Sequence, residues 1–262
     1  MVEHMLLALD IGNSIISLGV FSDDTLVDHY RISSDLKKTE DEYALVIRDL
    51  FALKGLDVSK VNGAIIESVV PQLLQVLQKS IQSLFHLDAL IFTYQTPISL
   101  ENRYENPQEV GMDRLANAVG GINALGAPVI IVDFGTAVTL DLVDKDGAYA
   151  GGVILPGREI SAEALFKRTS KLPRVSLLPP PKTLGKTTIT SIQSGLFWGT
   201  LGSVESLIRR LWKEIGYETK VIVTGGGASE LIPEMPYVDL FDPYLTLRGL
   251  QSIWSHNRKT KA

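Results

Sequence analysis

Two stretches of the chain repeat one device: an apolar strand that ends in Asp, a glycine turn and a second β-rich strand. The first covers residues 6–21, LLALDIGNSIISLGVF, and the second covers residues 129–143, VIIVDFGTAVTLDLV. Each predicts a β-hairpin, because apolar, β-branched runs flank a turn of small residues. The duplication indicates a fold of two related halves that present their hairpins to a shared cleft. The alternative is a chance match between two buried hairpins.

The turn of such a hairpin is suited to binding phosphate. Gly12 has no Cβ, so a ligand can approach its backbone closely, and Asp10 at the strand end can hold a hydrated cation. Exposed N–H groups and hydroxyls at the tip favour a polyphosphate that carries magnesium. One loop of this kind is more often an ordinary turn. The second copy, with Asp133, Gly135 and Thr136, favours phosphate binding over that alternative.

Composition limits the classes of function. A length of 262 residues suits one large or two small domains. The net charge of −5 argues against a general nucleic-acid binder, and no apolar run reaches the roughly 18 residues that a membrane span needs. The chain has no cysteine, which excludes a disulfide framework, a thiolate metal site and a cysteine nucleophile. The N-terminus does not have the pattern of a secretory signal, so the predicted location is the cytoplasm.

The remaining pattern predicts further helices and strands. Thr39 and Glu42 form a capping box that starts a helix reaching to about Leu53. Strands are predicted at 25–32, 63–70, 89–92 and 220–223, and helices at 73–81, from 111 onward, at 161–171, 191–212, after 228 and at 244–255. The predicted domains are residues 1–118 and 119–256, with residues 257–262 as a flexible tail.

Three short motifs allow more than one interpretation. The string GKTT at residues 185–188 is not a P-loop, because no apolar strand precedes it and the upstream glycine is missing. The glycines at 225–227 could admit a flat ligand such as adenine, or they form a plain turn. Asp113 in the first turn of a helix is commonly a residue that only the helix dipole favours. Its neighbour Arg114 is the preferred partner for a carboxylate or phosphate.

Taken in order, these motifs resemble the type III pantothenate kinases, within the superfamily that includes acetate and sugar kinases and actin. The resemblance runs from Met5 to about Trp254. It rests on DIGNS at Asp10, KTEDEY at Lys38, SVVP at Ser68, YENPQEVGMDR at Tyr104, DFGTAVT at Asp133, GGVILPG at Gly151, GKTT at Gly185, TGG at Thr224 and DPYLTLRGL at Asp242. The fold implied is α/β: two related ribonuclease-H-like (actin-like ATPase) domains, each a mixed sheet flanked by helices, with a cleft between them.

The resemblance implies transfer of the γ-phosphate of ATP to pantothenate, which gives 4'-phosphopantothenate in the first step of coenzyme A biosynthesis. The implied cofactors are ATP with Mg²⁺ and a monovalent cation, K⁺ or NH₄⁺. The implied assembly is a homodimer whose subunits share the substrate pocket. Two alternatives stay open: a catalytically impaired, nucleotide-binding regulatory paralogue, and a kinase for another small hydroxylated acid.

The resemblance also implies roles for individual residues. Asp113 would be the general base, Asp133 would bind the monovalent cation, and Asp10 would position magnesium. ATP phosphates would contact Asp10, Ile11, Gly12, Asn13, Ser14, Ile15, Ile16, Ser17 and Thr136. Pantothenate would contact Tyr104, Gly111, Met112, Asp113, Arg114 and, from the neighbouring subunit, Thr188. Arg114 is the natural anchor for the pantothenate carboxylate.

Four residues depart from the family pattern. Ser14 stands where Thr is usual and keeps the hydroxyl, whereas Ile15 replaces an Asn and removes a polar group from the phosphate loop. Thr187 replaces an Asn, and Glu67 replaces a Ser before the SVVP motif. A charged Glu67 close to a triphosphate would repel it unless a metal or an arginine intervened. Ile15 and Glu67 are therefore the residues that favour the impaired paralogue.

Overall fold

The computed structural model describes residues 5–261, and the side chains of residues 5–259. The ten strands are β1 Met5–Ile11, β2 Ile15–Ser22, β3 Thr25–Ser33, β4 Val61–Ser68, β5 Leu90–Ile91, β6 Val129–Phe134, β7 Ala137–Val143, β8 Tyr149–Pro156, β9 Lys220–Thr224 and β10 Leu240–Phe241. The six α-helices are α1 Glu40–Leu53, α2 Pro71–Phe85, α3 Met112–Leu125, α4 Arg158–Arg168, α5 Thr188–Ile215 and α6 Leu245–Lys261. These counts refer to the described residues. No helix among them is long and apolar enough to cross a membrane.

Two compact units make up the chain, and their sheets have the same topology. Unit 1 extends to Asn123 and resumes at Leu245, and unit 2 is Ala124–Tyr244. The strand orders are β3-β2-β1-β4-β5 in unit 1 and β8-β7-β6-β9-β10 in unit 2. In both sheets the first three strands are antiparallel, and the last two run parallel to the central strand. The predicted internal duplication is confirmed, and both predicted hairpins form. The predicted cleft stays a prediction.

Helices cover the sheet of unit 1 and bury its central strand. Leu7 and Leu9 of β1 join a core cluster with Ile47 of α1 and Leu77 of α2. The predicted capping box of α1 is confirmed, since Thr39 accepts a hydrogen bond from the backbone N–H of Glu42, whose side chain accepts one in return. A strand that is covered on both faces requires a continuous apolar run. In β1 this run extends from Met5 to Leu9 and is interrupted at Asp10.

The last helix, α6, belongs to unit 1. The prediction had placed it in the second domain, residues 119–256. It lies against β1 and β4, and at Gly63 it approaches so closely that a Cβ would overlap the Trp254 ring. Leu250 and Ile253 are buried by this packing. Residues 257–261, which were predicted as a flexible tail, continue the helix, and the Asn257 side chain donates to the carbonyls of Pro97 and Ile253. Ala262 lies outside the described residues.

Helix α5 packs its apolar stripe onto the sheet of unit 2. Phe197, Leu201, Val204 and Ile208 repeat at helical spacing and join the core with β6, β7 and β9. The helix begins at Thr188, with Thr187 as its N-cap, so the end of the GKTT string starts a helix. Among the described residues no strand lies between α4 and α5, which agrees with the rejection of a P-loop at this string.

The helix predicted after Ala228 is wrong. Only a 3₁₀ turn forms there, at Ile232–Glu234, because Pro233 cannot donate a backbone hydrogen bond and the preceding glycine turn is held elsewhere. The N–H of Gly227 donates to the carbonyl of Phe134 at 3.0 Å, which ties the turn to the second hairpin. Helix α4 also begins and ends three residues earlier than predicted, at Arg158 and Arg168.

Candidate active site

The loop at the tip of the first hairpin has a defined shape. The N–H of Gly12 donates to the carbonyl of Ile15 at 3.0 Å, which closes the turn. Ser34, which follows β3, holds the loop from the side: its hydroxyl donates to the Gly12 carbonyl at 2.6 Å, and its N–H donates to the Ser14 carbonyl at 3.0 Å. Asn13 and Ser14 are left exposed at the tip. The loop is therefore rigid and open to a ligand.

The residues predicted to contact ATP phosphates divide by accessibility. The side chains of Ile11 and Ile16 are fully buried in the unit 1 core, so only their backbone groups could reach a ligand. Asp10 and Ser17 are half-buried, as are Gly12 and Ile15. A Cβ at residue 12 would lie 3.0 Å from the Ile15 carbonyl oxygen, which explains the glycine.

The second hairpin repeats this construction. The N–H of Gly135 donates to the Ala137 carbonyl at 3.0 Å, and Thr136 is exposed at the tip. Gly157, which follows β8 and is the N-cap of α4, donates its N–H to the Thr136 carbonyl at 3.1 Å. Asp133 is half-buried beside Gly225, where the backbone has φ +93° and a Cβ would overlap Asp133 Oδ1. The glycine at 225 is therefore required both by backbone conformation and by the close approach.

Asp113 lies in the first turn of α3 and is half-buried. Its Oδ1 accepts a hydrogen bond from the N–H of Arg114 at 2.8 Å, which is the arrangement that the helix dipole favours. A Cβ at Gly111 would overlap this same oxygen. Arg114 is only 7 % exposed, whereas Tyr104 and Met112 are half-buried and accessible.

Glu67 lies next to Asp10, on the neighbouring strand. Strands β1 and β4 are parallel, and their register pairs Asp10 with Glu67. Glu67 is completely buried, and burial raises its pKa well above the ordinary value of 4.5, with the negative charges of Asp10 and Asp113 adding to the effect. Burial also raises the pKa of Asp10, and a hydrogen bond from Glu67 partly offsets that rise.

A proton accounts for the contact between these two carboxyl groups. As two carboxylates they would have no donor between them, and neither oxygen of Glu67 has another hydrogen-bond partner among the described residues. A proton shared by the pair would supply that donor, and the pKa of Glu67 is raised well above its ordinary value by burial and by the charge of Asp10. The pair would then carry less negative charge than the sequence position of Glu67 led us to expect.

Thr188 lies in unit 2, at the first position of α5, and is exposed. It lines a depression of about 870 Å³ whose walls come from α4, the 185–188 segment and α5. The lining residues include Leu165, Leu172, Gly185, Ser191 and Leu196. No group of three or more His, Asp or Glu side chains in the described part of the chain could hold a metal ion.

A family model for type III pantothenate kinases matches residues 6–210. The chain belongs to this family. It is 44 % identical over 253 residues to the type III pantothenate kinase of Halalkalibacterium halodurans, which covers 97 % of this chain and all of the relative. Its identity to the type III pantothenate kinase of Moorella thermoacetica is 43 % over the same length and coverage. The family predicted from the motifs is confirmed.

Solved structures agree on the fold. Component A of the (R)-2-hydroxyglutaryl-CoA dehydratase of Acidaminococcus fermentans superposes with a TM-score of 0.54 at 14 % identity, covering 99 % of this chain and all of that one. MreB 5 of Spiroplasma citri, solved with AMPPNP, superposes with a TM-score of 0.52 at 10 % identity and 98 % coverage of both chains. These matches concern the fold alone. With the two matching sheets, they confirm the predicted actin-like ATPase fold class.

Two contacts at this site could not be predicted from the sequence. Ser34 gave no signal, because its contact with Gly12 joins residues 22 positions apart. Glu67 was noticed as a departure from the family, but its burial beside Asp10 depends on the register of a parallel strand pair. The roles of the predicted site residues stay predictions.

Proposed function

We propose that this chain transfers the γ-phosphate of ATP to the terminal hydroxyl of pantothenate, as the first enzyme of coenzyme A biosynthesis. The observation that carries the proposal is its match, over nearly its full length, to relatives named type III pantothenate kinase. The two hairpins, each with an Asp at the end of its first strand and an open tip, supply the kind of loops that phosphate binding needs.

In this proposal the loop of residues 12–14 and the tip at Thr136 contact the phosphates. The rigid backbone of the first loop costs little ordering when the nucleotide binds. Asp10 would hold the magnesium ion that accompanies ATP, and the ion would offset the negative charge of the phosphates.

Asp113 is proposed as the general base. The pantothenate hydroxyl oxygen forms a bond to the γ-phosphorus as the bond from that phosphorus to the β–γ bridging oxygen breaks, and ADP leaves with the electron pair. The hydroxyl proton passes to the Asp113 carboxylate. Arg114 is proposed as the anchor for the pantothenate carboxylate, with Tyr104, Gly111 and Met112 lining the pocket, since a poorly hydrated guanidinium makes strong charge-assisted hydrogen bonds.

Three further parts of the proposal come from the family. Asp133 binds a monovalent cation, K⁺ or NH₄⁺, through its half-buried carboxylate. The chain forms a homodimer in which Thr188 of one subunit completes the pantothenate pocket of the other. The predicted cytoplasmic location stays part of the proposal.

A coupled ADP-release assay tests the proposal directly. The purified chain is given ATP and Mg²⁺, with and without pantothenate, and with K⁺ or with Na⁺ as the only monovalent cation. The expected result is ADP release that depends on pantothenate and is stimulated by K⁺. ADP release that is the same without pantothenate would contradict the proposed acceptor, and equal rates in Na⁺ would contradict the cation site.

Two other functions remain as alternatives. The impaired paralogue was favoured by Ile15 and Glu67. Glu67 is buried and its pKa is raised well above the ordinary value, which weakens the expectation that a charge at this residue repels the triphosphate. Such a paralogue would bind ATP and release no ADP with any acceptor. A kinase for another small hydroxylated acid would release ADP with that acid and not with pantothenate, so a panel of acceptors separates it from the main proposal.

A further inference from the structure

The two residues that follow β8 hold two different loops of unit 2. Gly157 donates its backbone N–H to the carbonyl of Thr136, at the tip of the second hairpin, at 3.1 Å. Arg158 donates from Nη2 to the carbonyl of Gly227 at 3.1 Å, in the glycine turn of residues 225–227 that follows β9. One short segment therefore holds the hairpin tip and the glycine turn at the same time.

The glycine turn begins next to the end of β6. Strands β6 and β9 are parallel, and their register pairs Asp133 with Thr224, the last residue before the turn. The N–H of Gly227 donates to the Phe134 carbonyl at 3.0 Å, and a Cβ at Gly225 would overlap Asp133. Ligands of open α/β sheets bind at the carboxyl ends of the parallel strands. The turn is therefore in a position to contact the same ligand as the hairpin tip.

Arg158 is suited to holding this turn and not to contacting a ligand itself. Its side chain is only 9 % exposed. Besides the Gly227 carbonyl, it contacts a carboxylate oxygen of Glu230 at 3.1 Å and donates to the Leu177 carbonyl at 3.4 Å. Glu230 and the two carbonyls are the kind of partners that a largely buried cation requires. A guanidinium presents its donors in one rigid plane, so it can hold all three partners together, whereas a lysine has a single nitrogen.

We propose that Arg158 is a positioning residue for the glycine turn, and that the turn it fixes contacts the base of the bound nucleotide. A glycine backbone has no side chains, so a flat heterocycle can lie directly on it. The Gly157–Arg158 segment then sets the spacing between the base at this turn and the phosphates at Thr136. The phosphate contact at Thr136 is part of the proposed function, and this inference rests on it. The plain-turn interpretation of residues 225–227 is the alternative that the experiment must exclude.

Two magnesium-bound ligands separate the base from the phosphates. Calorimetry measures the binding of a non-hydrolysable ATP analogue, and the binding of inorganic tripolyphosphate is measured by its competition with that analogue, both at saturating Mg²⁺. The natural chain is compared with Arg158→Met, which keeps a long apolar side chain and has no N–H donor. We expect the Kd for the analogue to rise about 10-fold, the size of one charge-assisted hydrogen bond, and the Kd for tripolyphosphate to change by less than about 2-fold.

Lys220→Met is the matched control, because it also removes an ion pair of unit 2. Lys220 Nζ lies 2.7 Å from Asp239 Oδ1 at the first residue of β9, whereas the glycine turn follows the last. This variant should bind both ligands as the natural chain does, whatever its stability in urea. If Arg158→Met is not folded, Arg158→Lys takes its place, and its single nitrogen should still weaken analogue binding by at least about 3-fold.

Three results would overturn the inference. Equal weakening of both ligands in the Arg158 variant would mean that the residue acts on the phosphate site or on the fold as a whole. Unchanged analogue binding in a folded Arg158 variant would mean that residues 225–227 are a plain turn. Weakening of the analogue in Lys220→Met to the same extent would mean that any lost ion pair has this effect.

The turnover assay separates failure of this inference from failure of the proposed function. In Arg158→Met the KM for MgATP should rise by the same factor as the Kd for the analogue, with the KM for pantothenate unchanged. If the natural chain shows no ADP release that depends on pantothenate, the proposed acceptor is wrong, and the binding comparison still tests Arg158 because it needs no turnover.

Discussion

Ser34 holds the loop of the first hairpin, and its replacement gives a graded test of what that loop does. In Ser34→Ala the hydrogen bond from its hydroxyl to the Gly12 carbonyl, 2.6 Å long and partly buried, is lost, while the backbone bond from residue 34 to the Ser14 carbonyl is kept. A neutral hydrogen bond of this kind contributes about 0.5–1.5 kcal/mol. If the loop binds phosphates, the greater freedom of its backbone must be removed again when ATP binds.

That free energy sets the size of the effect. Since about 1.4 kcal/mol corresponds to tenfold in affinity, we expect the KM for MgATP to rise about 2- to 10-fold in Ser34→Ala, with the KM for pantothenate unchanged. Steady-state ADP release with each substrate varied in turn measures both constants. Ser59→Ala is the matched control, because its hydroxyl donates a bond of 2.7 Å to Asp57 in a 3₁₀ turn remote from the hairpin.

One pattern of results would contradict a phosphate-binding role for this loop. If Ser34→Ala loses stability to urea while the KM for MgATP stays equal to that of Ser59→Ala, the loop is held by Ser34 for structural reasons only. The assignment of residues 12–14 to phosphate binding would then have no support from this variant.

Three further outcomes are expected. Asp113→Asn should lower kcat at least about 100-fold, because the amide cannot accept the hydroxyl proton, while thermal unfolding stays close to that of the natural chain; natural turnover would refute the base assignment. Glu67→Gln should gain stability relative to the natural chain as pH rises from 5 to 8 in EDTA. Because the pKa of Glu67 is raised in the folded state, that state keeps a proton which the unfolded state releases once the pH exceeds about 4.5. The free energy of unfolding of the natural chain therefore falls between pH 4.5 and the folded-state pKa, by at most about 1.4 kcal/mol per pH unit. A difference in the free energy of urea unfolding between the two chains that stays constant with pH would contradict this. Gly225→Ala should destabilise unit 2 by about 1–3 kcal/mol or more in urea unfolding, because an L side chain at φ +93° is strained and its Cβ would overlap Asp133. Gly216→Ala is the control: the backbone there also has a positive φ, but no atom lies close to the new Cβ, so the loss of stability should be smaller.

The local elements of the fold were predictable because their signals lie within a few residues of each other. The hairpins followed from two apolar runs around a short turn, and the start of α1 followed from Thr39 and Glu42 in one capping box. The duplication was visible because each copy keeps the same order of strand, Asp, glycine and strand. The family followed from several such motifs in sequence order.

Features that depend on distant parts of the chain were not predictable in the same way. The assignment of α6 to unit 1 depends on contacts such as Trp254 against Gly63, which are far apart in sequence. The short turn at Ile232–Glu234 replaced a predicted helix because its backbone is tied to Phe134 in another strand. Glu67 was expected to carry a charge, and only the pairing of β1 with β4 showed what surrounds it.

The central claim is that this chain moves a phosphoryl group from ATP to pantothenate. The most direct measurement is a product analysis by mass spectrometry after incubation with ATP, Mg²⁺, K⁺ and pantothenate, in parallel with the natural chain and Asp113→Asn. We expect one 4'-phosphopantothenate for each ADP formed by the natural chain, and at least about 100-fold slower formation of both products with the variant. ADP formed without any 4'-phosphopantothenate would contradict it.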